Sequence, residues 1–551
     1  MRAPSRFLAL AAGAALLAVS ACGGDADPGA TAVPGDTNAT SSEAKAGGEI
    51  TVRGCTPENS LIGSNTTEVC GGNIIEAFSS KLIHYNVDTA EPEMDIAESI
   101  DTDDNQTFTV TIKQGYMFQD GTEVLAKNFV DAWNWAAYGP HGQQSAYFFE
   151  PIEGFADVQC PDAECATEPS VDVMSGLAVV DDHSFTIKTT EPVSNLPVRL
   201  GYTAFMPQSD AFLAAEDKDE FSKMPIGAGP FKVIENTATE VVMEKFADYS
   251  GENKPNIDKV TFRIYNDPNA AYNDVVANNL DLTDLIPADQ LVGDAWKMSL
   301  DGRSDTRETG IIQTLSFSPK DEQLKDVNMR KAISMAVDRE QITTQIFNGA
   351  RTPATGWVSP VVDGYKADVC GDDCVFNPEE AKKMYDAAGG YDGIFQISIN
   401  ADGAHKLWAD AVCNQLKNNL GMDCQLNATP DFKTLREQVG ARELMGSFRT
   451  GWQMDYPSIE NFLTPLFATG SSSNDTDYDS PEFMKLMAEG NAAPTADEAN
   501  AKYQEAEAQV AKDFPVMPLW YQETPYGYSD KVDNVKMNPF SQWDLTSITV
   551  K

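Results

Sequence analysis

Between residues 449 and 462 the chain reads RTGWQMDYPSIENF, which sets Arg449, Trp452 and Asp455 close together. An arginine presents a planar fork that bonds both oxygens of a carboxylate, and an aspartate is the natural partner of a cation. If residues 449–455 are extended, both charged side chains face the same way, with their Cα atoms about 20 Å apart at roughly 3.3 Å per residue. Each residue also has a plainer reading. Asp455 suits a turn before Tyr456 and Pro457, Arg449 suits a surface ion pair among many acids, and Trp452 suits ordinary core.

Other arrangements that carry chemistry are missing or uninformative. MPIGAGPF (224–231) is glycine-rich, but no Lys-Ser or Lys-Thr follows it and Pro230 sits where a phosphate-binding helix would open. There is no Gly-x-Ser-x-Gly elbow and no His-Glu-x-x-His, and the only histidines are His84, His141, His183 and His405. A two-carboxylate glycosidase stays open on spacing alone, because 84 acidic residues offer pairs everywhere. CGDDC (370–374) brings two thiols and two carboxylates together, but its spacing is not that of a zinc knuckle and no histidine is near. No metal and no cofactor are expected.

These residues must be positioned by a large body. At 551 residues and 42% hydrophobic content, the chain is long enough for two or three domains with sizeable cores. The net charge of −44 repels nucleic acid and anionic lipid, and otherwise describes a well-solvated surface.

The start, MRAPSRFLALAAGAALLAVSAC, has a short basic stretch, an apolar run from Phe7 to Val19 and small residues before Cys22. This is a secretory signal rather than a membrane span. VSAC resembles a lipobox, which implies cleavage after residue 21 and a lipid on Cys22 that anchors the chain to the membrane. Residues 23–49 are rich in Gly, Ala, Ser, Thr, Pro and Asp with no apolar period, and read as a flexible tether. The remaining eight cysteines fall in near neighbours, and an even number in an exported chain favours disulfides. Proximity pairs Cys55 with Cys70, Cys160 with Cys165, Cys370 with Cys374, and Cys413 with Cys424.

Strand patterns run through FTVTIK (108–113), SFTIKT (184–189), VTFRIYN (260–266) and IFQISIN (394–400). Helical spacing runs through NMRKAISMAVDREQITTQIFNG (328–349), NPEEAKKMYDAAGG (377–390) and ADEANAKYQEAEAQVAKD (496–513). The chain is α/β with long, irregular connections.

Six segments in order carry a resemblance: IKQGYMFQDGTEVLAKNFVDAWN (112–134), MPIGAGPFKVIE (224–235), KPNIDKVTFRIYNDPNAAYNDVVANNLDLTDL (254–285), LKDVNMRKAISMAVDRE (324–340), GWQMDYPSIENFLTPLF (451–467) and YQEAEAQVAKDFPVMPLWY (503–521). From about Gly48 to its end, the chain is similar to extracellular solute-binding protein family 5, and within it most similar to the oligopeptide-binding lipoproteins of ABC importers. The resemblance implies a two-lobed α/β fold of the periplasmic-binding-protein type (type II, cluster C) with an extra inserted domain. One lobe would comprise 48–85, 196–314 and 518–551, the insert 86–195 and the other lobe 315–517. It also implies a non-enzymatic monomer outside the cytoplasmic membrane, with an oligopeptide as ligand and an ABC permease with its ATPases as partner.

By the same resemblance, Asp455 of the Gly-Trp-x-x-Asp-Tyr motif holds a peptide's α-ammonium and Arg449 its carboxylate. Trp452 lines a side-chain pocket, with Gly451 and Gln453 beside it, and His405 serves a longer peptide. The family's lysine for dipeptides falls at Phe347, which argues against dipeptides by that route. Burying a zwitterion requires all its polar groups to be paired, and adding the peptide as an extra strand meets its backbone. A different solute on the same scaffold, or a hydrolase that borrowed the fold, are the rival readings.

Overall fold

The computed structural model describes residues 47–551 except 58, 67, 68, 163, 164, 402–404, 431 and 472. The leader, Cys22 and the tether as far as residue 46 lie outside the described residues.

The backbone of the molecule is an eleven-stranded mixed sheet. From one edge it runs Cys424–Thr429, Phe395–Asn400, Ser447–Gln453, Ser304–Phe317, Val516–Tyr528, Leu282–Thr283, Glu49–Gly54, Lys259–Ile264, Glu240–Lys245 and Phe231–Asn236, with Arg351–Pro353 paired to Val516–Tyr528. Two strands are far longer than the rest, Ser304–Phe317 and Val516–Tyr528, and they pair antiparallel. Their register breaks between Glu308 and Ile312. On one side of the break they adjoin the half of the sheet that holds Glu49–Gly54, and on the other they adjoin Ser447–Gln453. Each half has its own apolar core. Ile50, Val52, Val260 and Phe262 belong to one, and Leu315, Ile397, Trp408 and Phe462 to the other. The fold is two-lobed, and two continuous strands cross from lobe to lobe.

A separate four-stranded antiparallel sheet, in the order Ala97–Thr102, Thr107–Ile112, Ser184–Lys188 and Leu177–Asp181, carries a third core. The alternation in TFTVTI puts Phe108, Val110 and Ile112 on one face, all buried. With Phe185 they meet Phe129 and Trp133 of helix Ala126–Ala137, and burial of each large side chain contributes about 1.5–3 kcal/mol.

The strands expected from alternation form at Thr107–Ile112, Ser184–Lys188, Lys259–Ile264 and Phe395–Asn400. Helices form at Pro378–Ala387 and Ala496–Asp513, capped by Asn377 and Thr495. The helical run 328–349 is not one helix but two, Val327–Met335 and Arg339–Phe347. Asp338 caps the second by accepting from Gln341 N. The buried Arg339 guanidinium donates to the carbonyls of Ser334, Pro518 and Cys374, so an interior cation holds the chain end of the first helix. All four cysteine pairs form, with Cα separations of 5.3, 5.1, 5.7 and 5.1 Å in chain order. Cys413–Cys424 ties helix Lys406–Leu420 to strand Cys424–Thr429, and Cys55–Cys70 anchors the start of helix Val69–Phe78.

Candidate ligand-binding cleft

Strand Ser447–Gln453 pairs with Ser304–Phe317 along its whole length, from Phe317 opposite Ser447 to Ile311 opposite Gln453. On its other side it pairs with Phe395–Asn400 only at Ser447 and Phe448. From Arg449 to Gln453, among the described residues, one edge of the strand has no strand beside it. Such an edge presents alternating N–H and C=O groups that can take an added strand.

Arg449 stands at the start of this open edge. Its Nε donates to Asn400 Oδ1 at 2.8 Å, and its guanidinium lies 4.7 Å from the centre of the Phe432 ring. With Gly451, Trp452, Trp357, Phe467 and the ion-paired Arg436 and Asp475 it walls a pocket of about 840 Å³, part of it open to solvent.

Asp455 stands just past the other end, in a cleft of about 970 Å³ that is also partly open. The far wall comes in part from the other half of the molecule, through Asn73 and Glu76 of helix Val69–Phe78, with Lys81, Tyr85, Tyr202 and Phe540 beside them and Gln453 on the near side. As a residue Asp455 keeps some exposed surface, yet protein encloses its carboxyl group. Loss of water pushes the pKa up to about 6, against the Asn461 hydrogen bond and with the help of the Glu460 charge. Burial, and next the Asp455 charge, raise the hydroxyls of Tyr147 and Tyr202 in turn. Among the described residues no cation pairs with Asp455, and none of its interactions involves Arg449.

Its position is set by Asn461, which is 1% exposed. The Asn461 amide donates to Asp455 Oδ2 at 3.0 Å, while its Oδ1 accepts the Asp455 backbone N–H at 2.8 Å and the Trp452 indole N–H at 3.2 Å. One buried side chain thus fixes two of the residues singled out in the sequence. The next residue, Tyr456, packs into the core of the four-stranded sheet and donates to Glu460 at 2.7 Å. Glu460 also accepts from Asn195 at 2.7 Å and pairs with Arg199 at 3.1 Å. Burial pushes the Glu460 pKa up, but Arg199 and these hydrogen bonds outweigh it and hold the group ionised.

His405 precedes helix Lys406–Leu420 and accepts from the Trp408 indole at 3.2 Å. It lines neither cavity. Trp408 packs on Trp520, and Trp520 on Phe347, whose ring lies 5.2 Å from the Arg351 guanidinium. Of the residues picked out in the sequence, the structure gathers Arg449, Gly451 and Trp452 at one pocket and Gln453 and Asp455 at the other, and it leaves His405 apart. Sequence reasoning passed over Asn461, Glu460, Arg199 and the cleft tyrosines. Asn461 and Glu460 lie in the quoted motif, and the available signal was a polar pair in the first turn of an otherwise apolar helix.

An inter-lobe cleft crossed by two strands, with an open sheet edge and a carboxylate inside it, defines the class of two-lobed solute-binding proteins. The pattern of the bacterial extracellular solute-binding proteins, family 5 middle region, matches residues 91–474, and the chain belongs to that family. It is 25% identical over 488 residues to the oligopeptide-binding protein OppA of Bacillus subtilis, covering 85% of this chain and 86% of that one. It is 26% identical over 476 residues to the dipeptide-binding protein DppE of the same organism, covering 83% of each. Among solved structures, the murein tripeptide binding protein MppA of Escherichia coli superposes with a TM-score of 0.75 at 21% identity, over 92% of this chain and 99% of that one.

Proposed function

We propose that this chain is the oligopeptide receptor of an ABC importer, a lipoprotein held outside the cytoplasmic membrane through Cys22. It captures a peptide between its lobes and delivers it to a permease. The observation that carries this reading is the open edge from Arg449 to Gln453, with a guanidinium at its start and an unpaired carboxylate just past its end. A peptide laid along that edge meets the strand with its backbone, Asp455 with its ammonium and Arg449 with its carboxylate, and its side chains fall toward the two cavities. Relatives named as oligopeptide- and dipeptide-binding proteins support it.

The proposed division follows the two crossing strands. Residues 48–85, 196–314 and 518–551 form the first lobe, 86–195 the insert and 315–517 the second lobe, and closure bends the crossings. Binding and release are the task, and no bond of the ligand is broken.

Mass spectrometry of small molecules that co-purify with the protein tests this. A mixture of free peptides of three to five residues is expected. A sugar, a metal chelate or a steroid acid in their place contradicts it.

A further inference from the structure

The pocket beside Arg449 has one wall made by a face of the sheet. Ile312, Thr314 and Ser316 alternate along strand Ser304–Phe317, and the register sets Trp452 opposite Ile312 and Thr450 opposite Thr314, so these five side chains share that face. All five line the pocket, with Trp357 and Phe467 beside them. Its aromatic walls offer hydrocarbon, because the Trp452 indole N–H is spent on Asn461 and that of Trp357 on the Val516 carbonyl at 2.9 Å. The Arg436 guanidinium forks onto Asp475 at 2.6 and 3.1 Å.

The polar spot in this wall is a cluster of three hydroxyls. Thr450 Oγ1 lies 2.8 Å from Thr314 Oγ1 and 2.7 Å from Ser316 Oγ, and among the described residues these oxygens make no other hydrogen bond. Three hydroxyls carry three protons and two bonds spend two, so the cluster keeps capacity for one more bond. Thr314 and Ser316 are 5% and 3% exposed, whereas Thr450, bonded to both, is only half-buried. With both neighbours donating to it, Thr450 has its own proton to give; donating to one of them, it has a lone pair to receive with.

Resting on the peptide reading above, we propose that this pocket selects a tyrosine side chain near the peptide's carboxyl terminus, with Thr450 as the residue that recognises the phenol. The ring packs on the aromatic walls, and the phenolic O–H, donor and acceptor at once, completes the hydroxyl cluster. A phenylalanine in the same place expels water from Thr450 and puts nothing in its stead, which is the kind of loss a hydrogen-bonding site discriminates against. An acidic side chain meets the Asp475 carboxylate in the same wall.

The test is calorimetric titration of the purified protein with the free tripeptides Ala-Ala-Tyr, Ala-Tyr-Ala, Ala-Ala-Phe and Ala-Phe-Ala, and with the two analogues that carry 4-methylphenylalanine, which matches tyrosine in shape without its hydrogen bond. At one of the two positions tyrosine is expected to bind at least tenfold more tightly than both phenylalanine and 4-methylphenylalanine. Thr450→Val removes the central hydroxyl at nearly constant shape and should bring the tyrosine-to-phenylalanine ratio to within about threefold of one. Tyrosine no better than phenylalanine at either position, a 4-methylphenylalanine peptide that binds as tightly as its tyrosine counterpart, or a preference that survives Thr450→Val overturns the tyrosine pocket and leaves the peptide reading standing. Because the first two outcomes are read on the wild-type protein, they decide the matter even if the variant does not fold. Failure of every peptide to bind overturns both.

Discussion

Asn461 holds Asp455 from two sides, donating to its carboxylate at 3.0 Å and accepting its backbone N–H at 2.8 Å. Because Asp455 N and Trp452 share the same amide oxygen, the carboxylate and the indole are positioned together. Asn461→Ala should leave both loose, with two donors, the Asp455 N–H and the Trp452 indole N–H, and one carboxylate oxygen unpaired. A loss of about 1–3 kcal/mol in stability follows from buried groups left unpaired. Peptide affinity should fall about tenfold, with Asn461→Asp no better because it sets a second carboxylate against the first. Thermal melts and titration of a free tripeptide check both.

The raised pKa of Asp455 gives binding a pH dependence. In the empty cleft the group titrates at about 6, so above that pH a carboxylate awaits the ligand ammonium, and below it a proton must leave first. Affinity should be level above pH 7 and fall toward tenfold per pH unit below 6. Asp455→Asn should bind weakly with a flat profile over the same range.

Glu507 predicts a dependence of the opposite kind, on stability. It is fully buried, its Oε1 accepts the Trp357 N–H at 2.8 Å and its Oε2 has no partner. Burial raises its pKa to about 7, above the unfolded value. A folded pKa above the unfolded one means stability that is complete below about pH 4.5 and lost as pH rises through 7, on the order of 3 kcal/mol by pH 8. Glu507→Gln should remove that decline, which denaturant titrations at pH 5 and pH 8 measure directly.

The Arg199–Glu460 pair joins the segment after the four-stranded sheet to the helix behind Asp455, and its side chains are 12% and 1% exposed. Removing one partner strands a buried charge, so Arg199→Met should cost about 3–5 kcal/mol, and Arg199→Met with Glu460→Leu clearly less. If the single and double variants melt alike, the pair is not what holds that seam.

Local features were the most legible part of the sequence. The alternation of TFTVTI and the cap and periodicity of ADEANAKYQEAEAQVAKD correspond to a strand and a helix because each is decided within a few residues. Cysteines 4 to 15 residues apart were near enough for spacing to pair them. The break at residues 336–338 was hidden, since it depends on Arg339 reaching carbonyls of Pro518 and Cys374 that lie far along the chain. At the cleft, the charges of Arg449 and Asp455 stood out by type and spacing. The bond from Asn195 to Glu460 spans 265 residues, and the clamp on Asp455 exists only once the chain turns back at 454–458, so neither has a local pattern to betray it.

The most direct measurement is calorimetric titration of the purified protein with Ala-Ala-Ala, its N-acetylated form and its C-terminal amide, each against wild type and Asp455→Asn. The peptide-receptor reading requires saturable binding of the free tripeptide at neutral pH, loss of at least a hundredfold on N-acetylation, and a comparable loss with Asp455→Asn that acetylation does not deepen. Binding indifferent to acetylation, or an Asp455→Asn variant that binds as well as wild type, contradicts it.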